Sequence, residues 1–211
     1  MQSGKHTQLI PDTETAILRA AEKEFIAKGF SGARTTSIAE AAGVTHAMLH
    51  YYFRTKQNLF DTIVAAKVDL LKQALISPLL DRNKSLECIL RDIISRHMDF
   101  IAANPDLPRF LIEEAYNQTD RSSSFLDQIR KHAPVMLRAL QEKIDEAAAI
   151  GQCRRIEAEM LMLDIASLNI FPFLAAPVVN AALGPLTADR SGFLEARKRE
   201  NFDTIMRKLR P

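Results

Sequence analysis

Apolar positions recur at intervals of three and four along almost the whole chain, the period of a helix that buries one face. In residues 12–28 they fall at Ile17, Ala20, Ala21 and Phe25, with Asp12 or Thr13 as a start signal and Gly29 as a stop. A short segment, 36–42, turns Ile38, Ala39 and Ala42 inward, with Thr35 or Thr36 as its cap and Gly43 as its end. A third, 45–53, carries Met48, Leu49, Tyr52 and Phe53. Thr55 then opens a longer helix whose apolar residues are Leu59, Phe60, Ile63, Val64, Val68, Leu70 and Leu71, and which ends before Pro78.

The second half continues in the same period. Residues 85–103 stop before Pro105, and 107–117 follow as a shorter helix. Residues 122–149 form a long helix with Pro134 as a kink or break and Gly151 beyond its end. Residues 157–176 are apolar nearly all round, which predicts burial over most of the circumference. Residues 180–191, with Gly184 and Pro185, read as a loop, and 192–210 close the chain with Phe202, Ile205, Met206 and Leu209 on one face. No alternating run is long enough to propose a sheet. The expectation is an all-α chain of about nine helices. Its most apolar stretch, 160–183, is interrupted by Asp164, Asn169, Pro172, Pro177 and Asn180, so it reads as a buried helix followed by a turn and not as a membrane span.

Composition narrows the class. Of 211 residues, 47% are hydrophobic and 26% charged, and Gly and Pro number only 7 and 9, which excludes disorder, collagen-like repeats and a disulfide scaffold. Cys88 and Cys153 have no Cys or His at ligand spacing, so they read as two reduced, buried or semi-buried thiols of a cytoplasmic protein, with no metal and no cofactor expected. Residues 1–11 lack the apolar core of a secretion signal. The formal charge is only +2, so a nucleic-acid site must come from local placement of charge. The first 60 residues hold seven Lys and Arg against five Asp and Glu, and the rest hold 21 of each, so the whole excess lies at the N-terminal end.

The chemistry concentrates in residues 35–60. Ala39 sits four residues before Gly43, and Leu49 six after it. That spacing suits a helix-turn-helix, where a small residue is needed at the crossing and the turn needs a left-handed backbone. Ile38, Ala39, Ala42, Val44, Leu49 and Tyr52 supply its packing, with Gly43 at the turn. Thr45, His46, Ala47, His50 and Tyr51 are then free to face outward, polar, aromatic or small and without an acid. Such a face suits a major groove, because Thr and His donate to phosphates or base edges and Ala can touch a thymine methyl. Arg54 and Lys56 follow where the chain would leave the groove, Lys56 at the amide-rich start of the next helix. His46 and His50 also stand at a metal-binding spacing, but no third ligand is near in sequence.

Gly29-Phe30, then Thr35 through Thr45, then Leu49-His50-Tyr51-Tyr52-Phe53, then Lys56-Gln57-Asn58-Leu59-Phe60, resembles the N-terminal region of TetR/AcrR-family transcriptional regulators over residues 12–62. The resemblance implies a three-helix DNA-binding domain (1–54) and a larger helical ligand-binding and dimerisation domain (55–211). It implies a homodimer on double-stranded DNA, at a near-palindromic operator, released by an unidentified small molecule. By position, Thr45, His46, Tyr51 and Lys56 match places that contact DNA, largely its phosphates, and so do Thr35 and Thr36; Ala47 and Met48 match places that approach bases. The sequence departs from the family pattern at His50, more often Tyr, at His46, often Lys or Arg, and at Ala33, where Thr is common.

Beyond residue 62 the reading rests on composition. Phe110, Phe125 and Met136 are candidates to line a ligand pocket, with His97, Glu113 or Tyr116 as its polar handle, and plain core packing is the competing reading. The apolar helix at 157–176 needs a cover that one domain does not supply, which predicts a homodimer through the last two helices. Two alternatives stand beside the repressor. One is a helical small-molecule-binding protein or enzyme that uses the C-terminal cavity, for which no nucleophile–base pair or phosphate loop is evident. The other is a protein-interaction module that uses the Tyr51 face.

Overall fold

Ten α-helices form among the residues that the computed structural model describes, 13–117, 124–184 and 189–211. They are α1 (Thr13–Gly32), α2 (Thr35–Ala41), α3 (His46–Phe53), α4 (Lys56–Ile76), α5 (Leu86–Ala103), α6 (Leu107–Asn117), α7 (Ser124–Ala149), α8 (Ala158–Leu174), α9 (Ala176–Leu183) and α10 (Arg190–Leu209). A 3-10 turn, Ser77–Leu80, follows α4 and takes in Pro78. No strand occurs among the described residues, and the all-α expectation holds. Asp12, Ser122 and residues 185–188 of the expected loop lie outside them.

Two expectations about helix ends need correction. Residues 176–183 form α9 where a turn was expected, which raises the count above nine. Pro177 stands in the first turn of α9, where a missing N–H breaks no helical bond, so it starts a helix instead of stopping one. Pro134 likewise does not break α7, which continues through it.

The described residues divide into two compact units, the first reaching to Val64 and the second beginning at Ala65. In the first, Ile17, Ala20, Ala21 and Phe25 are the buried residues of α1, as the periodicity predicts. Gly29, at φ +67°, bends the end of α1. Phe30 then stacks on Phe25 at 6.0 Å and meets Phe60 edge-on at 5.1 Å, and Phe25 meets Phe60 edge-on at 5.2 Å.

The second unit is built around α5. Leu86, Ile89, Leu90, Ile93 and Ile94 of α5 bury against Leu140 and Ile144 of α7, Leu161 and Ile165 of α8, and Phe202, Ile205 and Leu209 of α10. Each such side chain contributes roughly 1.5–3 kcal/mol by leaving water. Helix α8 differs from expectation. Only Ala158, Leu161, Met162, Ile165 and Asn169 are buried, while Leu163 and Phe171 are each 59% exposed, because its neighbours cover one side of it. A bend of 75° separates α8 from α9, and no single helix among the described residues is long and apolar enough to cross a membrane.

A polar seam crosses this core. Asn201 Nδ2 of α10 donates to Asn169 Oδ1 of α8 at 2.8 Å. Asn169 Nδ2 donates to the Ile94 carbonyl at 3.1 Å and lies 3.3 Å from His97 Nδ1 of α5. Burial lowers the His97 pKa to about 4 from 6.5, so the ring is neutral in the fold and charged in the unfolded chain at mildly acid pH. The unfolded state therefore binds the extra proton. The contribution is fully present above pH 6.5 and is lost as pH falls from 6.5 towards 4. Chemical denaturation across that window is expected to reveal a loss of up to about 3 kcal/mol from this ring. In His97→Phe the acid slope is expected to drop by one proton.

Candidate nucleic-acid interface

The turn between α2 and α3 follows from its one glycine. Gly43 N–H donates to the Glu40 carbonyl and Val44 N–H to the Ala39 carbonyl, both at 3.0 Å, which closes the end of α2 with two crossed bonds. That closure needs a left-handed residue, and Gly43 sits at φ +68°. A Cβ there would meet nothing within 4 Å, so the constraint is conformational and not spatial. Ile38, Ala39 and Leu49 are buried, and Val44 is half-buried, as the helix-turn-helix reading requires. Tyr52 departs from it. Its ring is 38% exposed, edge-on to Tyr51 at 5.5 Å, while Phe53 takes the buried place.

Helix α3 starts on Thr45, whose side-chain oxygen accepts from the Met48 N–H at 3.2 Å. Its outward residues are those the sequence singles out. His46, Ala47 and His50 are exposed, Met48 is 42% exposed and Tyr51 82%. His46 Nε2 lies 3.0 Å from Thr35 Oγ1, so a side-chain bond joins the starts of α2 and α3. His46 and His50 stand edge-on at 5.9 Å. Among the described residues, no cluster of three or more His, Cys, Asp or Glu side chains is placed to hold a metal ion.

Thr35 and Thr36 do not cap α2 as expected. Helix α2 begins at Thr35, and Arg34 holds the cap position without a side-chain bond. Glu24 of α1 serves that end instead, accepting from the Arg34 N–H at 3.3 Å and from Lys28 Nζ at 2.7 Å. The Lys28 bond holds the Glu24 carboxyl below its ordinary pKa, so the acceptor stays ionised.

Lys56 has a structural use that sequence did not reveal. Its Nζ donates to the Ala33 carbonyl at 3.0 Å and to the Ser31 carbonyl at 3.4 Å, and lies 4.7 Å over the Phe30 ring. The ammonium thus ties the start of α4 to the carbonyls between α1 and α2, with at most one donor left for a phosphate. A signal existed in Phe30, whose ring lies under that cation and packs on Phe25 and Phe60. The backbone conformation of Arg54 had no signal in the sequence. It takes φ +52° in the two-residue link from α3 to α4, with Thr55 N–H donating to the Phe53 carbonyl in a γ-turn. Positive φ in a γ-turn is strained for a residue with a Cβ. The strain turns the chain within two residues and leaves Arg54 exposed at the end of the outward face.

The pocket candidates are not brought together. His97 belongs to the polar seam, and Phe110 is buried. On α6 the inward stripe is Leu107, Phe110, Leu111 and Glu114, so Glu113 and Tyr116 fall on the other side. Glu113 pairs with Arg109 at 3.3 Å in solvent, and Tyr116 is 84% exposed. Phe125 is half-buried, and Met136 lines a small cleft of about 60 Å³ beside α4. Of the thiols, Cys153 is buried, with its pKa raised by burial, and Cys88 is exposed, contrary to the expectation for two sheltered cysteines.

Two substitutions test these contacts by thermal melting. Gly43→Val is expected to lower stability by about 1–2 kcal/mol, and Gly43→Asn by much less, because Asn tolerates the left-handed region. Lys56→Met is expected to cost about 1–2 kcal/mol by freeing two carbonyls, an effect a lysine serving only phosphates would not produce.

Residues 17–63 match the family described as bacterial regulatory proteins, tetR family, and residues 88–205 match the tetracyclin repressor-like C-terminal domain. The chain is 29% identical over 117 residues to the HTH-type transcriptional repressor NicS of Pseudomonas putida, across 56% of this chain and 55% of NicS. It is 37% identical over 68 residues to the HTH-type transcriptional regulator RutR of Escherichia coli, across 32% of each. These matches thus span about half the length of NicS and a third of that of RutR. The fold is similar to that of AibR, solved in complex with isovaleryl coenzyme A and operator DNA, with a TM-score of 0.67 at 16% identity over 95% of this chain and 99% of AibR.

Proposed function

The chain belongs to the TetR family of bacterial regulatory proteins, and on that premise we propose a ligand-responsive repressor that binds a near-palindromic operator as a homodimer and is released by a small molecule. The observation that carries the DNA-binding part is the outward face of α3, which is acid-free, exposed and held on a capped two-helix frame. Thr36, Thr45, His46, Ala47, Met48, His50 and Tyr51 are the residues that meet DNA, most at phosphates, with Ala47 and Met48 nearest the bases. Thr35 orients His46, and Lys56 acts chiefly by positioning α4. The family is one of regulators, which sets aside the enzyme reading.

Dimerisation is supported by the uncovered apolar face of the second unit. Met160, Leu163 and Phe171 of α8 are at least half exposed in the single chain, and Val178 and Leu183 of α9 are more so. A second copy, applied about a two-fold axis through α8 and α10, removes the α8 side chains from water. Two recognition helices in successive major grooves then need a spacing of about 34–36 Å.

The test is binding of the full-length protein to DNA flanking its own gene, at 50 and 200 mM salt. Two protomers per site are expected, with affinity falling about a thousandfold or more over that range if six or more phosphates are neutralised. Tyr51→Phe is expected to weaken binding on all sequences alike. Leu163→Arg is expected to halve the sedimenting mass and abolish operator binding with helical content unchanged. Salt-independent binding, or none in preference to random DNA, would overturn the reading.

A further inference from the structure

We propose that His46 and His50 meet operator DNA as imidazolium ions, so that each protomer takes up protons as it binds and the chain holds its operator more tightly in mildly acid than in mildly alkaline solution. The proposal deepens the repressor reading and rests on it. His46 opens α3 and His50 stands in its last turn, four residues on and therefore on the same face. These are two of the places where the sequence departs from the family pattern. Both side chains are exposed, and their rings lie edge-on with centroids 5.9 Å apart. Thr35 Oγ1, at 3.0 Å, holds the His46 ring by its Nε2. Histidine is the side chain whose ordinary pKa lets its charge change in the range between pH 6 and pH 8.

The charges around the pair are few. Helix α3 has no acidic side chain. Helix α2, which packs on it, has Glu40 as its one ionisable group, exposed and five residues along from Thr35. At the start of α2 stand Arg34 and the Glu24–Lys28 ion pair, which adds no net charge. Beyond α3 come Arg54, whose N–H donates to the His50 carbonyl, and Lys56, which is tied to two carbonyls. In the free protein these cations and the neighbouring ring oppose a proton on either histidine, and the positive end of α3 opposes one on His46. A phosphate reverses the balance, because an anion beside the ring favours its charged form. Hydrogen bonding acts in the same direction. When the Thr35 hydroxyl donates its proton to a phosphate, it accepts from His46 Nε2, and Nδ1 then donates as well only if the ring is an imidazolium. His50, in the last turn of α3, also has the negative end of the helix in its favour.

Each ring then holds its proton more tightly in the complex than in the free protein, so affinity rises as pH falls. The gain is complete below about pH 6.5 and is lost as pH rises through the higher pKa of the complex. An imidazole of ordinary pKa, about 6.5, whose proton affinity rises tenfold on binding favours the complex about sixfold more at pH 6 than at pH 8. A dimer carries four such rings, which together give about a thousandfold. Full-length protein is titrated onto the DNA flanking its own gene at pH 6, 7 and 8, at constant ionic strength and with EDTA to keep metal ions off the pair. His46→Gln and His50→Gln are each expected to remove about fortyfold of the pH effect, and the double variant to remove all that the pair contributes. The other three histidines remain in that variant, so any slope of theirs persists there. Calorimetry of the unaltered protein in buffers of different ionisation heat needs no variant to fold, and is expected to count about two protons taken up per dimer at pH 7.

Equal affinity at pH 6 and pH 8, a pH effect that survives whole in the double variant, or binding without proton uptake would each overturn the proposal. A purely structural role for the two rings is also distinguished, since losing it lowers affinity equally at both pH values. Salt-sensitive operator binding that does not change with pH removes the charged pair and leaves the repressor. No preference for the operator at any pH removes both.

Discussion

An α-helix leaves four N–H groups at its start and four carbonyls at its end without partners inside the helix, and in helices as short as α2 and α3 those groups are most of the backbone. The first unit is organised by how they are satisfied. Gly43 folds the chain back so that Val44 and Gly43 close the end of α2. Thr45 serves the start of α3, Thr55 accepts from the Asn58 N–H at the start of α4, and Glu24 reaches across from α1 to the Arg34 N–H. Lys56 then takes two carbonyls near the end of α1. None of these groups contributes much burial. Together they fix the direction in which α3 presents Ala47, His50 and Tyr51, which burial of Ile38, Ala39 and Leu49 alone would leave loose.

Much of this was legible because it is local. A capping hydroxyl, a glycine at a left-handed turn and a helical stripe are written within a few residues, and so the buried set of α1, the limits of α6 and the turn at Gly43 are found where the pattern puts them. What depends on distant partners was not legible. Lys56 looks like a phosphate ligand until Ala33, Ser31 and Phe30 are seen around it. Tyr52 has the spacing of a core residue, but Phe53 fills that place. Pro177 and Asn180 are ordinary turn signals, and only the position of Pro177 in the first turn lets α9 form. On α6, one residue, about 100° of rotation, separates an inward Glu114 from an outward Glu113, and composition cannot choose between them.

The second unit sets a different problem, because its central helix must be surrounded. Helices α7, α8 and α10 cover α5, and each can give only one face to it. For α7 and α10 the other face is polar. For α8 it is not, which is why a helix apolar all round ends with Leu163 and Phe171 in solvent. The seam of His97, Asn169 and Asn201 runs through the packed side of the same helix. A buried chain of hydrogen bonds adds little net stability but tolerates no sliding of α8 against α5 or α10, since any shift leaves an amide unpaired. It therefore fixes the register of the helix whose outer face is left for a second copy.

Helix α4 carries both themes. Its first residue is the lysine that steadies the reading head, and its last two turns form one wall of the α4–α7 cleft. It is continuous from Lys56 to Ile76. A ligand in that cleft influences DNA binding only if it favours one placement of this helix over another, and the effect is bounded by that difference in affinity. The coupling is reciprocal by linkage, so operator DNA must weaken the ligand by the same factor that the ligand weakens operator binding.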